Sequence, residues 1–422
     1  MPDRTRAAYD LARDRYGDLG VDTEAALDQL ADKALSLPCW QGDDVVGFEH
    51  LGEGHAGGGI QATGRYPGRA RAPEELRADL ERALALIPGH HRVNLHAMYG
   101  EFAGRRVDRD AVGPQHFAGW LDWAAERGLG LDFNATLFAH PLADEGFTLS
   151  HPDPGVRSFW IEHVRRCREI AGALGGRLGT PCLHNLWAPD GMKDTCVDRS
   201  GFRARLVASL DEIYGDPTPA VTRKDSVEGK LFGIGSESFV VGSHDLYLAY
   251  AVTRGLIPCL DLGHFHPTES VADKLSSLLL FCDEILLHMS RGVRWDSDHV
   301  VVLDDPVREV ALEIVRAGGW DRVHLALDSF DASINRVGAW VVGARATQKA
   351  LLAALLEPRA RLVAMEAEGD YLGRLALLET TRTLPLGAVW DVFCARHDVP
   401  ADPDWPGEVR RYEVEVLSRR GG

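Results

Sequence analysis

Short apolar runs that end in polar or aromatic residues alternate along this chain with longer stretches whose apolar positions recur at helical spacing. Eight such runs stand out, near Leu37–Trp40, Arg92–Tyr99, Leu129–Asn134, Pro181–Trp187, Ser226–Leu231, Ile257–His264, Glu284–Ser290 and Val323–Asp328. Between them, Pro73–Leu86, Gln115–Arg127 and Val156–Leu174 carry the periodicity of amphipathic helices. Strand followed by helix, eight times over, predicts a parallel sheet closed on itself, an α/β fold of the (β/α)8 TIM barrel class. Ahead of the first strand, Asp3 to Leu35 reads as two short helices with a break at Gly17–Gly20. Past Asp328 the strand pattern stops, and Trp340–Leu356, Leu372–Leu378, Leu386–Arg396 and Pro406–Arg419 read as helices. The expected organisation is an N-terminal helical segment (1–35), a catalytic barrel (36–345) and a C-terminal helical extension (346–422) that covers the barrel or makes subunit contacts.

Composition narrows the function classes. A length of 422 residues suits a barrel with extensions, and 45% hydrophobic with 26% charged residues is an ordinary soluble mix. A net charge of −17 argues against nucleic acid or an anionic membrane surface as partner and fits a neutral small molecule. No apolar run is long enough for a membrane span, and Met1 to Tyr16 lacks the features of a signal peptide. Seven cysteines without a CxxC pair point to free thiols in a reducing compartment, so a cytoplasmic protein is expected. The Gly-rich stretch His50–Gly68 follows the first strand and reads as a lid over the C-terminal face of the barrel; it lacks the Lys-Ser/Thr ending of a phosphate-binding loop.

The chemistry gathers in the second half of the barrel. Glu228 and Lys230 close the fifth run, Asp261 and His264 the sixth, His288 the seventh and Asp328 the eighth, while Asp296 and Asp298 lie in the loop after the seventh. Intervals of 33, 27 and 40 positions separate Glu228, Asp261, His288 and Asp328, about one strand–helix unit each. Neighbouring strands therefore bring these side chains to one mouth, where barrel enzymes keep their catalytic groups. Two unit charges 4 Å apart repel by about 4 kcal/mol at an effective dielectric near 20. Glu228, Asp261, Asp296, Asp298 and Asp328 bring five carboxylates together, so the cluster asks for cations. Two divalent ions, with His264 and His288 as nitrogen ligands, suit manganese, magnesium, cobalt or zinc and need no thiolate.

Over nearly its whole length the chain resembles the L-rhamnose isomerase family. The resemblance rests on Cys39-Trp40-Gln41-Gly42-Asp43-Asp44, Gly58-Gly59-Ile60-Gln61-Ala62-Thr63-Gly64, Val93-Asn94-Leu95-His96-Ala97, Pro189-Asp190-Gly191-Met192-Lys193-Asp194, Asp261 to Thr268, Val293 to Val301 and Asp331-Ala332-Ser333-Ile334-Asn335-Arg336. The Glu228-Gly229-Lys230 and Asp261-x-x-His264 arrangement is also similar to the wider xylose isomerase superfamily. The resemblance implies a manganese-preferring, tetrameric aldose–ketose isomerase that interconverts L-rhamnose and L-rhamnulose by a metal-assisted hydride shift. It implies one metal position at Glu228, Asp261, His288 and Asp328, and a second that shares Asp261 with His264, Asp296 and Asp298. On that reading His96, with Asp328, opens the sugar ring and Lys230 holds the carbon-1 oxygen. Trp40, Phe138 and Trp187 wall the apolar side of a deoxysugar. The same chemistry on another aldose, and a metal-dependent hydrolase on the same barrel, are the competing expectations.

Overall fold

The computed structural model describes residues 2–49, 62–215, 221–236, 238–293 and 299–420. Eight strands form a closed parallel barrel in chain order: β1 (Leu35–Pro38), β2 (His91–His96), β3 (Gly130–Asn134), β4 (Cys182–Trp187), β5 (Arg223–Glu228), β6 (Ile257–Asp261), β7 (Ile285–Met289) and β8 (Val323–Leu327), with β8 pairing back onto β1. Two helices precede it, α1 (Asp3–Gly17) and α2 (Thr23–Ala31). One principal helix follows each strand: α3 (Pro73–Leu84), α4 (Ala118–Arg127), α5 (Pro154–Leu178), α6 (Arg199–Tyr214), α7 (His244–Arg254), α8 (Ala272–Leu278), α9 (Asp305–Arg316) and α10 (Arg336–Leu355). Then come α11 (Arg359–Ala367), α12 (Tyr371–Thr381), α13 (Leu386–Arg396) and α14 (Trp405–Glu415). The expected TIM barrel, with helices before and after it, is the observed fold.

Local rules account for the elements. In α9 the buried residues Val307, Val310, Ala311 and Ile314 fall on one stripe, and Asp304 caps the start by accepting from the Val307 N–H at 3.2 Å. Helix α5 begins at Pro154 after Asp153 and ends where Gly179 turns left-handed at φ +69°. It packs close to the sheet through Gly175, where a Cβ would lie 1.9 Å from the Thr222 carbonyl oxygen.

Inside the barrel, side chains two apart along a strand share a face. Leu183, Ile257, Cys259, Leu286 and Ala326 pack together as a small apolar layer of their own. Below it, Lys224 donates to Glu284 at 2.6 and 2.8 Å, and His324 Nε2 meets the same carboxylate at 2.5 Å. Two positions further along the same strands come Asp261, His288 and Asp328, and Glu228 lies four beyond Lys224. A polar base and an apolar middle thus support a polar rim.

Several boundaries differ from the sequence expectation, β2 and β6 ending three positions before Tyr99 and His264. Strand β1 starts at Leu35, and Trp40 already lies in a 3-10 turn spanning Cys39–Gly42. Strand β5 starts at Arg223 rather than Ser226, because polar residues occupy both faces of its first half. Lys224 meets Glu284, while Arg223 and Asp225 enter a buried ion cluster with Arg168 of α5. Helix α11 was not apparent in the sequence because Leu362 is its one buried residue, so it has no apolar stripe to read. All seven cysteines are buried free thiols. Among the described residues no helix is long and apolar enough to cross a membrane.

Asp225 accepts from Arg168 Nη2 at 3.0 Å and Arg223 Nε at 3.1 Å, and lies 3.2 Å from His184 Nδ1. Burial opposes its charge, but His184, Arg168 and Arg223 outweigh that and hold the carboxyl well below the usual range. Because folding depresses this pKa, its stabilisation is complete above the unfolded value near ~4 and is lost as pH falls below it. Asp225→Ala leaves two guanidinium groups facing each other and should cost roughly 3–5 kcal/mol, read as a lower midpoint in denaturant titration at neutral pH.

Candidate metal centre and substrate cavity

Strand register brings the sequence-predicted ligands together. Asp261 is level with His288 across β6 and β7, and His288 with Ala326 across β7 and β8, two positions before Asp328. Ligand atoms of Glu228, Asp261, His288 and Asp328 all lie within 4.8 Å of one another. His288 Nδ1 is 3.0 Å from Asp328 Oδ2, 3.4 Å from Glu228 Oε2 and 3.6 Å from Asp261 Oδ2. His264, in the turn after β6, approaches Glu228 more closely than Asp261: Nδ1 to Glu228 Oε1 is 3.0 Å, whereas Nε2 to Asp261 Oδ2 is 3.9 Å. Asp296 and Asp298 lie outside the described residues, as do Trp295 and the stretch 50–61 that holds most of the expected lid.

The donor chemistry fits a divalent cation. Glu228 Oε1, Asp261 Oδ2 and both ring nitrogens of His288 are buried without a hydrogen bond among the described residues. Such atoms are costly unless something else satisfies them. Burial disfavours charge on Glu228 and His288 alike. Their mutual attraction, with further help from His264 at Glu228 and from Asp328 and Asp261 at His288, holds the carboxyl well below and the imidazole well above their usual values. A divalent ion supplies that positive charge itself and takes a neutral imidazole as ligand. Cys259 also borders Glu228 and His288, but burial pushes its thiol well up, so it contributes no thiolate. An oxygen and nitrogen donor set remains.

Further residues, of which only Trp40 was singled out in the sequence, orient these groups. Ser290 Oγ donates to Asp261 Oδ1 at 2.5 Å and the Gly263 N–H to the same oxygen at 2.6 Å, leaving Oδ2 toward the cluster. Asn185 Nδ2 donates to Glu228 Oε2 at 2.6 Å, and Ser226 Oγ to Asn185 Oδ1 at 2.8 Å. Trp40 Nε1 donates to Asp328 Oδ1 at 3.1 Å, giving that indole a polar contact beside its apolar one. The signal for Ser290 and Asn185 was positional: each lies two residues from another inward-facing member of its strand.

Glu228, Asn185, His264, His288 and Asp328 line a cavity of about 450 Å³, within the usual range for small-molecule sites. Trp40, Phe138, Trp187, His96, Lys230, His264, His288 and Asp328 all border it. The His96 ring sits 4.9 Å from Trp40 and 5.7 Å from Phe138, centroid to centroid, and Phe138 is 6.0 Å from Trp187. Lys230 Nζ lies 5.3 Å from the Trp187 ring centre. Burial, with the Arg109 charge assisting, lowers His96 to about 3, so it is a neutral imidazole near pH 7. Of the sequence-predicted residues that are described, all but Asp261 border this one cavity; Asp261 is fully buried and meets the others through the Glu228, His288 and Asp328 cluster.

Fold and site together define a barrel enzyme with a candidate divalent-metal centre at its strand ends. The family model described as L-rhamnose isomerase (RhaA) matches residues 4–420. Curated relatives named L-rhamnose isomerase include one from Rhodopirellula baltica, 55% identical over 98% of this chain and 96% of its own length. Those from Cronobacter sakazakii (55% identical) and Escherichia coli (54% identical) are covered over 100% of both chains. A solved structure titled L-ribulose 3-epimerase shares the barrel with a TM-score of 0.51 at 13% identity, covering 78% of this chain and 97% of that one. The chain belongs to the L-rhamnose isomerase family, and is an isomerase of the aldose–ketose type.

Ser290→Ala removes one of the two donors that aim Asp261, and manganese affinity measured by titration calorimetry should weaken about 10- to 100-fold. Folding depresses the His96 pKa, so its contribution to stability is complete above the unfolded value near ~6.5 and declines as pH falls toward the folded value. Between pH 6 and 8 a His96→Asn variant should therefore shift the level of the kcat/KM profile without removing an inflection from it.

Proposed function

We propose that this enzyme interconverts L-rhamnose and L-rhamnulose by a divalent-metal-assisted 1,2-hydride shift, with manganese as the preferred ion. The observation that carries the reading is the convergence of Glu228, Asp261, His288 and Asp328 within 4.8 Å beside an aromatic-walled cavity. The relatives' name supplies the substrate. One ion would be held by these four residues. A second would share Asp261 and use His264, Asp296 and Asp298. When bound, divalent ions supply Lewis acidity to adjacent sugar oxygens and make the shift of hydrogen from carbon 2 to carbon 1 accessible.

The chain's own groups prepare the sugar. His96, with Asp328 across the cavity, moves the proton that opens the ring. Lys230 places a positive charge for the carbon-1 oxygen, and Trp40, Phe138 and Trp187 enclose the apolar face with its methyl group and keep water out. We further propose that the enzyme serves sugar catabolism in the cytoplasm as a homotetramer, with residues 346–422 contributing subunit contacts to the 36–345 barrel behind the 1–35 helical segment.

Ketose formation from L-rhamnose should vanish after EDTA treatment and return with manganese. A protein that binds manganese yet leaves L-rhamnose untouched, while turning over mannose, lyxose, allose or xylose, would move the assignment to another aldose. In deuterated solvent a hydride shift keeps the carbon-2 hydrogen in the product, whereas wash-in of solvent deuterium at carbon 1 indicates proton transfer. His264→Asn and Asp298→Asn should each lower kcat at least about 100-fold and reduce bound metal; full activity at normal metal content contradicts the second site.

A further inference from the structure

Behind His96 lies a chain of buried polar groups that touches neither the metal cluster nor the cavity directly. Thr136, two residues past β3, places Oγ1 3.1 Å from His96 Nδ1. Its backbone is fixed on both sides. The Thr136 N–H donates to His163 Nε2 at 3.0 Å, and its carbonyl accepts from Arg109 Nη1 at 2.7 Å. His163, fully buried on α5, has its other nitrogen 2.9 Å from the Arg109 carbonyl oxygen. A carbonyl only accepts, so His163 carries its proton on Nδ1 and offers a bare Nε2 to Thr136. Arg109, 1% exposed, also donates to the Phe138 carbonyl at 2.5 Å and to Glu49 Oε2 at 2.9 Å. The loop it holds includes Ala139, whose left-handed φ of +53° needs such support.

Every backbone donor and acceptor of Thr136 is thereby committed, which leaves the hydroxyl to serve His96. We propose that Thr136, held by His163 and Arg109, is a positioning residue that fixes the orientation of the His96 ring through its Nδ1 and leaves its Nε2 toward the sugar; this rests on the ring-opening role given to His96. In that step Nε2 accepts the proton of the carbon-1 hydroxyl, the carbon–oxygen double bond forms at carbon 1, the bond from carbon 1 to the ring oxygen breaks, that oxygen takes a proton from a water molecule, and the imidazolium returns its proton to the hydroxide left behind. A ring turned away from this orientation would not bring Nε2 to that hydroxyl.

The network is tested by comparing a sugar that must be opened with one that cannot close. Three-carbon glyceraldehyde forms no five- or six-membered ring, whereas L-rhamnose does. Thr136→Val keeps the shape and removes the hydroxyl. It should lower kcat/KM for L-rhamnose about 10- to 100-fold, part of the roughly 10²–10⁴ a positioned acid–base group supplies. Enzyme-accelerated mutarotation of freshly dissolved L-rhamnose, followed by polarimetry, should fall in parallel. Glyceraldehyde turnover, metal content and melting temperature should stay level, and Thr136→Ser should restore the L-rhamnose rate. Undiminished mutarotation and L-rhamnose turnover in Thr136→Val, or equal losses on both substrates, overturn the proposal. His96→Asn run alongside separates the two readings: if it lowers both substrates alike, the ring-opening role itself falls; if it alone is selective for L-rhamnose, only the positioning role does.

Discussion

Repulsion among carboxylates is the constraint around which this molecule is arranged. Glu228 and Asp261 are buried and Asp328 nearly so, yet all three point to one spot beside His288. In water such groups would separate; in a barrel they cannot, because each is fixed to a strand hydrogen-bonded to the next. The fold therefore supplies the energy of assembly and the site must supply the compensation. Part of it is visible in neutral donors aimed at individual oxygens: Asn185 to Glu228, Ser290 and Gly263 to Asp261, Trp40 to Asp328. These remove choice as well as charge, since each leaves a defined oxygen for the centre.

The same economy separates polar work at the rim from polar work at the base. Lys224, Glu284 and His324 close the bottom of the barrel, and the apolar layer of Leu183, Ile257, Cys259, Leu286 and Ala326 lies between them and the cluster above. Low polarizability in that layer keeps the two sets of charges from rearranging into one another. On the outer face of β4 and β5, Asp225 with Arg168, Arg223 and His184 does similar structural service without facing the cavity. Charge in this protein is thus not a marker of function by itself; which face of a strand bears it decides.

That distinction explains what the sequence disclosed. Glu228, Asp261, His288 and Asp328 could be read because each closes an apolar run and because the intervals between them match barrel units. The barrel class followed from the same eight runs. Strand β5 was read short because Arg223, Lys224 and Asp225 look like loop residues until their partners on α5 and β7 are in place. The resemblance implied a metal position that His264 shares with Asp261; the sequence did not show that Glu228, from the adjacent strand, lies nearer the His264 ring. The Thr136–His163–Arg109 chain was invisible for another reason. Three of its links run through backbone groups, which every residue has and no sequence pattern reports.

Trp40 and Asp328 stand just past the ends of the first and last strands, 288 positions apart, and Gln41 clasps the backbone of Asp331 nearby across 290. Between them they are a clasp on a hoop. A growing polypeptide emerging from the ribosome presents the first of these partners long before the second exists, so no partly made chain holds the centre in its finished form. Long-range closure of this kind is slow compared with local helix formation. Chemistry and topology are consequently completed in one event: the hoop shuts, and only then do all four candidate ligands come within reach of one another.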